Sequence, residues 1–267
     1  MTESDIESAI AEMRYGSGVH VVRNVFSTDV CLEVSEVIQS YEPDQYGNVR
    51  CLLDKSIHIE SLVQNPEIIM ICDRLFKSPC RLSSFGARVI DPDDQDNKVH
   101  RRVSGPHIDH PYREIIGATE GEDCPLYDIP LGTQVLMPFM DLTVETGATA
   151  YVPGSQLWYR HPTAEAFSRE EAAGNVKRLE LSLGDLAMWS GPLWHMAMPN
   201  YTRRQRVIMT FLYSPKFMKH PHLMREMYDP EYLSSLPEKL QNLINLDDDV
   251  PAIYAQPARI SHEVSVD

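Results

Sequence analysis

Between Leu82 and Ser214 the chain breaks into short runs of β-branched, aromatic and aliphatic residues: LSSFGARVI, GTQVLMPFMDL, TAYVPGS, VKRLELSL, DLAMWS and RVIMTFLYS. Gly, Pro or charged turns punctuate them, which is the texture of strands rather than helices. The spacing between the runs leaves little room for the helical crossovers that parallel strands need, so antiparallel pairing in a sandwich or barrel is expected. At 267 residues the chain fits one such unit, since β sandwiches and barrels reach this length as single domains.

Helical periodicity lies upstream. FSTDVCLEVSEVIQSY offers Ser27 or Thr28 as N-cap and then Val30, Val34, Val37, Ile38 and Tyr41 on one face. NPEIIMICDRLF offers Asn65 as cap, with Pro66 where its missing N–H costs nothing. The reading is a single domain over 1–267, in which a helical part of about 1–80 packs on one outer face of a β core of about 82–215. A helical and extended C-terminal tail follows. The polar stretches Asp91 to Arg102 and Thr119 to Pro130 read as loops around the HIDHP segment, either lids or simply solvated, variable surface. No internal repeat is found.

Twenty-four Lys and Arg against 39 Asp and Glu give a formal charge of −15, which would repel phosphate backbones and anionic headgroups. Nucleic acid and membrane are therefore not expected partners, whereas a small-molecule substrate is. KVHRR is a local basic island in this acidic chain, read either as a solvated loop or as a contact for a substrate anion. Five cysteines without a CxxC pair suit a reducing, cytoplasmic setting. The N-terminal residues lack the basic start and apolar run of a signal peptide. The oligomeric state is left open.

The chemistry begins at SGPHIDHPY. His107 and Asp109 are two apart, so on a strand they share a face and His110 points away. A distant histidine would complete a two-histidine, one-carboxylate triad with open coordination positions, and His195 in GDLAMWSGPLWH is the candidate. An isolated HxD is weak, because a strand histidine is usually structural. The segment ETGATAYVPGS and the arginines after His195 turn the isolated match into a pattern.

With those residues assembled, nearly the whole chain resembles the phytanoyl-CoA dioxygenase family of iron(II), 2-oxoglutarate-dependent oxygenases, including the ectoine hydroxylases. The likeness runs from GVHVVRNVFSTD through HID and ETGATAYVPGSQ to WHMAMPNYTRRQR. It implies a mainly β fold, a double-stranded β-helix (jelly-roll, cupin-like) core with flanking α-helices. It further implies Fe(II) held by His107, Asp109 and His195, with 2-oxoglutarate and dioxygen as co-substrates. Asn200 and Arg206 match the family's positions after the distal histidine, and Arg206 is expected to bind the far carboxylate of 2-oxoglutarate; Arg204, of the same strand parity, is its rival. Gln156, where PGSH is usual, and Met196 and Ala197, where small hydroxyl or glycine residues are usual, depart from the pattern.

Gln134 reads either as a hydrogen-bond partner of 2-oxoglutarate or substrate, or as a solvent-side polar residue. Trp189 and Trp194 read either as walls of the metal site or as ordinary core, and core is the favoured reading because an indole N–H needs only a local acceptor. Arg88, His110 and Tyr112 are candidates for the substrate side. The expected activity is hydroxylation of an unactivated C–H bond in a small metabolite, with release of succinate and carbon dioxide. The carboxylate ligand Asp109 speaks against halogenation, because related halogenases replace it with a small residue. Desaturation, epoxidation or cyclisation at the same iron, a cupin-like metal isomerase or hydrolase, and a non-catalytic binding protein are the alternatives.

Overall fold

The computed structural model describes residues 2–93, 104–109, 111–112, 130–219 and 221–246. Four helices precede the long strands. In α1 (Glu3–Tyr15) Thr2 and Asp5 form a reciprocal capping box. The helix α2 (Thr28–Gln39) is capped by Ser27, α3 (Ile57–Val63) by Ser56, and α4 (Pro66–Phe76) by Asn65 with Pro66 in its first turn. The Ser27 and Asn65 caps are those expected from sequence. The first helix gives a weaker signal, because its buried stripe is only Ile6, Ala9 and Met13 in an otherwise polar run.

Nine strands follow the chain as β1 (Val19–Val22), β2 (Asn48–Val49), β3 (Cys80–Ile90), β4 (Thr133–Pro138), β5 (Ala150–Tyr151), β6 (Lys177–Arg178), β7 (Leu186–Ser190), β8 (His195–Met196) and β9 (Arg206–Pro215). A further helix, α5 (Ala164–Ala172), lies between β5 and β6, and the short helices α6 (Met224–Met227), α7 (Pro230–Ser235) and α8 (Glu238–Leu243) come after β9. A six-stranded sheet has the order β1-β7-β4-β9-β3-β2, and a three-stranded sheet has the order β6-β5-β8. Their strand pairings are antiparallel, as the short turns implied. The run VKRLELSL pairs as a strand only at Lys177–Arg178, and Leu181 then makes an isolated bridge to Leu142.

Register decides which side chains face which layer, because directly opposed residues share a sheet face. On one face Val135, Met137, Met188, Met209, Phe211, Phe85 and Ala87 join the helices in the main core. There Phe85 and Phe211, opposed in register, stack with ring centroids 6.4 Å apart. On the other face Val19, Leu136, Ala187, Trp189 and Ile208 meet Leu142, Ala148, Leu179 and Leu181, so the small sheet covers this inner face. Gln134 opposes Trp189 and Leu212, while Arg88 opposes Ile208 and Asn48. Both polar residues are thereby assigned to the inner face.

Candidate metal centre

His107 and His195 are drawn together by the backbone. Each amide donates to the other's carbonyl, at 2.9 Å and 3.1 Å, in an isolated antiparallel bridge that continues the small sheet beyond β8. The two imidazole rings lie 4.2 Å apart between centroids. Asp109 is anchored by its own amide, which donates to the Gly191 carbonyl at 2.8 Å. As a result one ligand-capable atom from each of His107, Asp109 and His195 lies within 4.8 Å of the others.

The ring nitrogens are assigned by their partners. His107 Nδ1 is 2.7 Å from the Gly105 carbonyl and His195 Nδ1 is 2.9 Å from the Leu193 carbonyl. A carbonyl only accepts, so each Nδ1 carries the proton and each Nε2 keeps its lone pair. His195 Nε2 already sits 3.5 Å from Asp109 Oδ2, near the roughly 3 Å expected between neighbouring ligands each about 2.1 Å from a common ion. Two imidazole Nε2 atoms and a carboxylate oxygen, converging from one side, form the donor set suited to non-haem Fe(II) with positions left for further ligands.

Trp189 serves both core and site. Its indole N–H donates to Asp109 Oδ2 at 2.9 Å, and its ring meets His195 edge-on at 5.1 Å. The sequence favours core over a wall of the metal site, because any local acceptor would satisfy an indole; the acceptor is the candidate ligand itself. Trp194 is core, donating to the Arg160 carbonyl at 2.7 Å.

Arg206 opens β9 on the inner face and is 2% exposed. Its Nη1 donates to the carbonyls of Thr146, Gly147 and Met198 at 2.9, 2.5 and 2.9 Å. The buried Nε meets no acceptor and the guanidinium no carboxylate within ion-pair distance among the described residues. Burial, with the nearby charge of Arg88, lowers its pKa to about 10 against the opposing pull of Asp93, so the group remains a cation at neutral pH. A buried cation of this kind is costly without an anion. Gly147 makes the arrangement possible: it has φ of +87°, and a Cβ there would collide with the guanidinium. The segment ETGATAYVPGS contained this signal, although not its reason. Arg204 is exposed and precedes the strand.

Asn200 is fully buried and ties the loop before β9, its amide donating to the Ile90 and Arg204 carbonyls. Gln156 reaches from the β core to α1, donating to the Arg14 and Gly16 carbonyls. Tyr112 is buried with its ring against Gly191, and its hydroxyl accepts from the Leu131 amide at 2.8 Å. His110, KVHRR and most of the two polar loops lie outside the described residues. No helix among the described residues is long and apolar enough to cross a membrane.

Comparison with known proteins bears on the family and the fold. Residues 16–208 match the profile of the family described as phytanoyl-CoA dioxygenase (PhyH). The chain is 25% identical over 260 residues to the uncharacterized protein YJR154W of Saccharomyces cerevisiae, covering 89% of this chain and 73% of that one. It is 23% identical over 261 residues to the dioxygenase cnsJ of Penicillium expansum, covering 85% and 73%. Among solved structures it is similar to SnoN, a non-heme alpha ketoglutarate dependent epimerase from nogalamycin biosynthesis, with a TM-score of 0.59 at 19% identity over 80% of this chain and 84% of that one. The SnoN complex with Fe3+, alpha ketoglutarate and nogalamycin RO gives a TM-score of 0.62 at 19% identity, covering 97% and 94%. The chain belongs to the phytanoyl-CoA dioxygenase family, whose enzymes are 2-oxoglutarate-dependent oxygenases that work with iron.

Proposed function

We propose that His107, Asp109 and His195 hold one Fe(II), that Arg206 receives the far carboxylate of 2-oxoglutarate, and that the enzyme hydroxylates an unactivated C–H bond of a small metabolite. The observation carrying this reading is the convergence of two Nε2 lone pairs and one carboxylate oxygen, with both histidine tautomers already set. The strand order supports it. The six-stranded sheet faces a second sheet of β6-β5-β8 that is extended by the His107 bridge, the arrangement expected of a double-stranded β-helix. We read the described helices and sheets as one domain, since the main core joins the helices to the large sheet.

When bound, iron with 2-oxoglutarate and dioxygen supplies the oxidant, and the co-substrate leaves as succinate and carbon dioxide. The protein's contribution is positional. The Gly105 and Leu193 carbonyls orient both ligand imidazoles with Nδ1–H turned away and Nε2 turned toward the site, and the Trp189 indole fixes the Asp109 carboxylate. The Nε edge of Arg206 offers a carboxylate a charge-assisted contact inside the fold, while Nη1 is held in place by three carbonyls. Gln134 lies on the same sheet face, opposite Trp189, where its amide can contact co-substrate or substrate. Buried Leu136, Ala187 and Ile208 keep water from that face.

The same centre is compatible with epimerisation, desaturation, epoxidation or cyclisation; product mass separates epimerisation, desaturation and cyclisation from hydroxylation, and NMR of the product separates an epoxide from an alcohol of the same mass. The test of the site itself is anaerobic titration of Fe(II) into the metal-free protein with and without 2-oxoglutarate. A visible charge-transfer band that needs both components and fades on admission of oxygen is the expected result. Stoichiometric iron without the band would point to a metal isomerase or hydrolase, and no iron at all to a binding protein.

A further inference from the structure

The inner face of the large sheet continues past the metal centre to the β9–β3–β2 flank, where it forms a second feature. A cavity of about 160 Å³ is lined by Asn48, Arg50, Ser84, Arg88, Thr210 and His222 together with strand backbone. Ser84, Gly86, Arg88, Asn48 and Thr210 all have inner-face parity by register. No Asp or Glu is among its described lining residues, although acids outnumber bases 39 to 24 in the chain. Two guanidinium groups and an imidazole therefore share one polar hollow in an otherwise acidic molecule, where low-dielectric walls focus their field.

The groups differ in how they are held. Arg88 is half-buried on β3 and reaches the Tyr46 carbonyl at 3.4 Å with Nη2. Arg50 is exposed just beyond β2 and also lines the cavity. His222 is pinned by its amide to the Ser83 carbonyl at 3.3 Å, and its buried Nδ1 has no hydrogen-bond partner among the described residues. Burial, then the charge of Arg50, lowers the His222 pKa, which keeps its imidazole neutral and able to donate one N–H. Asn48 and Thr210 add neutral polar groups.

We propose that this cavity receives an oxyanion of the substrate, a carboxylate or phosphate held by Arg88 and Arg50 with the polar groups of Thr210 and His222, so that the substrate is a small anionic molecule. This rests on the iron reading above and adds the substrate class to it. Ordinary strand spacing and rise place Gly86 and Arg88 on the order of 15–20 Å from Trp189 along the sheet. That separation suits a molecule anchored at one end by its charge, with a carbon elsewhere in it presented to the metal. Arg206 is a distinct cation, two positions beyond Ile208 on the same face of β9, and is engaged by the co-substrate.

The test uses the full-length protein with Mn(II) in place of iron and saturating 2-oxoglutarate, under argon. Inorganic phosphate is titrated in while its ³¹P relaxation is followed, and [¹³C]acetate is measured in parallel. The expected result is saturable paramagnetic relaxation of at least one probe, weakened about tenfold in apparent affinity by Arg88→Gln and by the exposed Arg50→Gln, and partly restored by Arg88→Lys. Electron paramagnetic resonance reports bound Mn(II) in every variant, and the unfolding midpoint reports folding. Bound Mn(II) without saturable relaxation of either probe overturns the inference alone, as does relaxation unchanged by both substitutions. Failure of wild-type protein to bind Mn(II) overturns the iron reading and this inference with it. The probe that responds identifies carboxylate or phosphate.

Discussion

Replacing Trp189 by Phe isolates a single hydrogen bond's contribution to the proposed metal centre. The edge-on ring contact with His195 survives in large part, but the indole N–H that donates to Asp109 Oδ2 at 2.9 Å is lost. A hydrogen bond to a charged group contributes roughly 1.5–3 kcal/mol. The Asp109 side chain is 15% exposed, so water replaces part of the donor and the lower end of that range applies. A carboxylate no longer held in its ligating orientation must be ordered when metal binds. Since 1.4 kcal/mol is a factor of ten, Fe(II) affinity is expected to fall about tenfold, within the range typical of lost support to a ligand. The assay is anaerobic competition for Fe(II) against a chromogenic chelator, paired with denaturant unfolding of the metal-free protein. Unfolding reports the packing cost of the smaller ring, about 1–3 kcal/mol for a core truncation, and competition reports the ligand. Loss of stability with unchanged Fe(II) affinity would show that Trp189 is core and nothing more, and would refute the argument.

Other substitutions separate the remaining roles. His107→Ala or His195→Ala should abolish Fe(II) binding and succinate release, and full activity in either would remove the triad. Arg206→Met should raise the 2-oxoglutarate KM about 100-fold, the equivalent of roughly 3 kcal/mol for a charge-assisted pair, with Fe(II) affinity unchanged by the chelator assay. Gly147→Ala should lower the unfolding midpoint by several degrees, because a φ of +87° and the adjacent Arg206 guanidinium both oppose a Cβ; an unchanged midpoint would contradict the close approach. Asp185 supplies a pH prediction. Burial tends to raise its pKa, but the Asn24 amide, Arg23 and the Ser182 amide outweigh this and hold the carboxyl below its ordinary value. The stability it contributes is therefore complete above the unfolded value of about 3.9 and is lost as pH falls through the lower folded value. Asp185→Asn should flatten the acid limb of the stability curve measured by denaturant unfolding, and an unaltered limb would show that other carboxyls set it.

Much of this molecule was legible without coordinates because local rules governed it. Ser27 and Asn65 cap helices because their side chains accept amide bonds that the first turn leaves open, whatever lies beyond. The near-continuous apolar runs of β4 and β9 follow from burial of both faces, one against helices and the other against a second sheet. His107 and Asp109 stood out because two residues is the strand period, and His195 because of the run around it. Family likeness favoured Arg206 over Arg204, and the structure gives a reason: Arg204 is exposed before the strand begins, while Arg206 enters the fold beneath Gly147. Parity alone could not distinguish them.

Where distant segments meet, the sequence had no local signal to offer. That the Trp189 indole would find Asp109, eighty residues earlier, depended on the Asp109 amide reaching Gly191 and on the register of β7 against β4. That Arg88 would share a sheet face with Gln134 and Thr210 depended on how β3, β9 and β4 slid against one another, and a slip of one residue would have turned every one of these side chains to the opposite face. The residue types suited to metal and carboxylate chemistry were determined by the sequence. Tertiary structure decided which of them converge, because hydrogen-bond register and burial, rather than composition, set the distances between strands far apart in the chain.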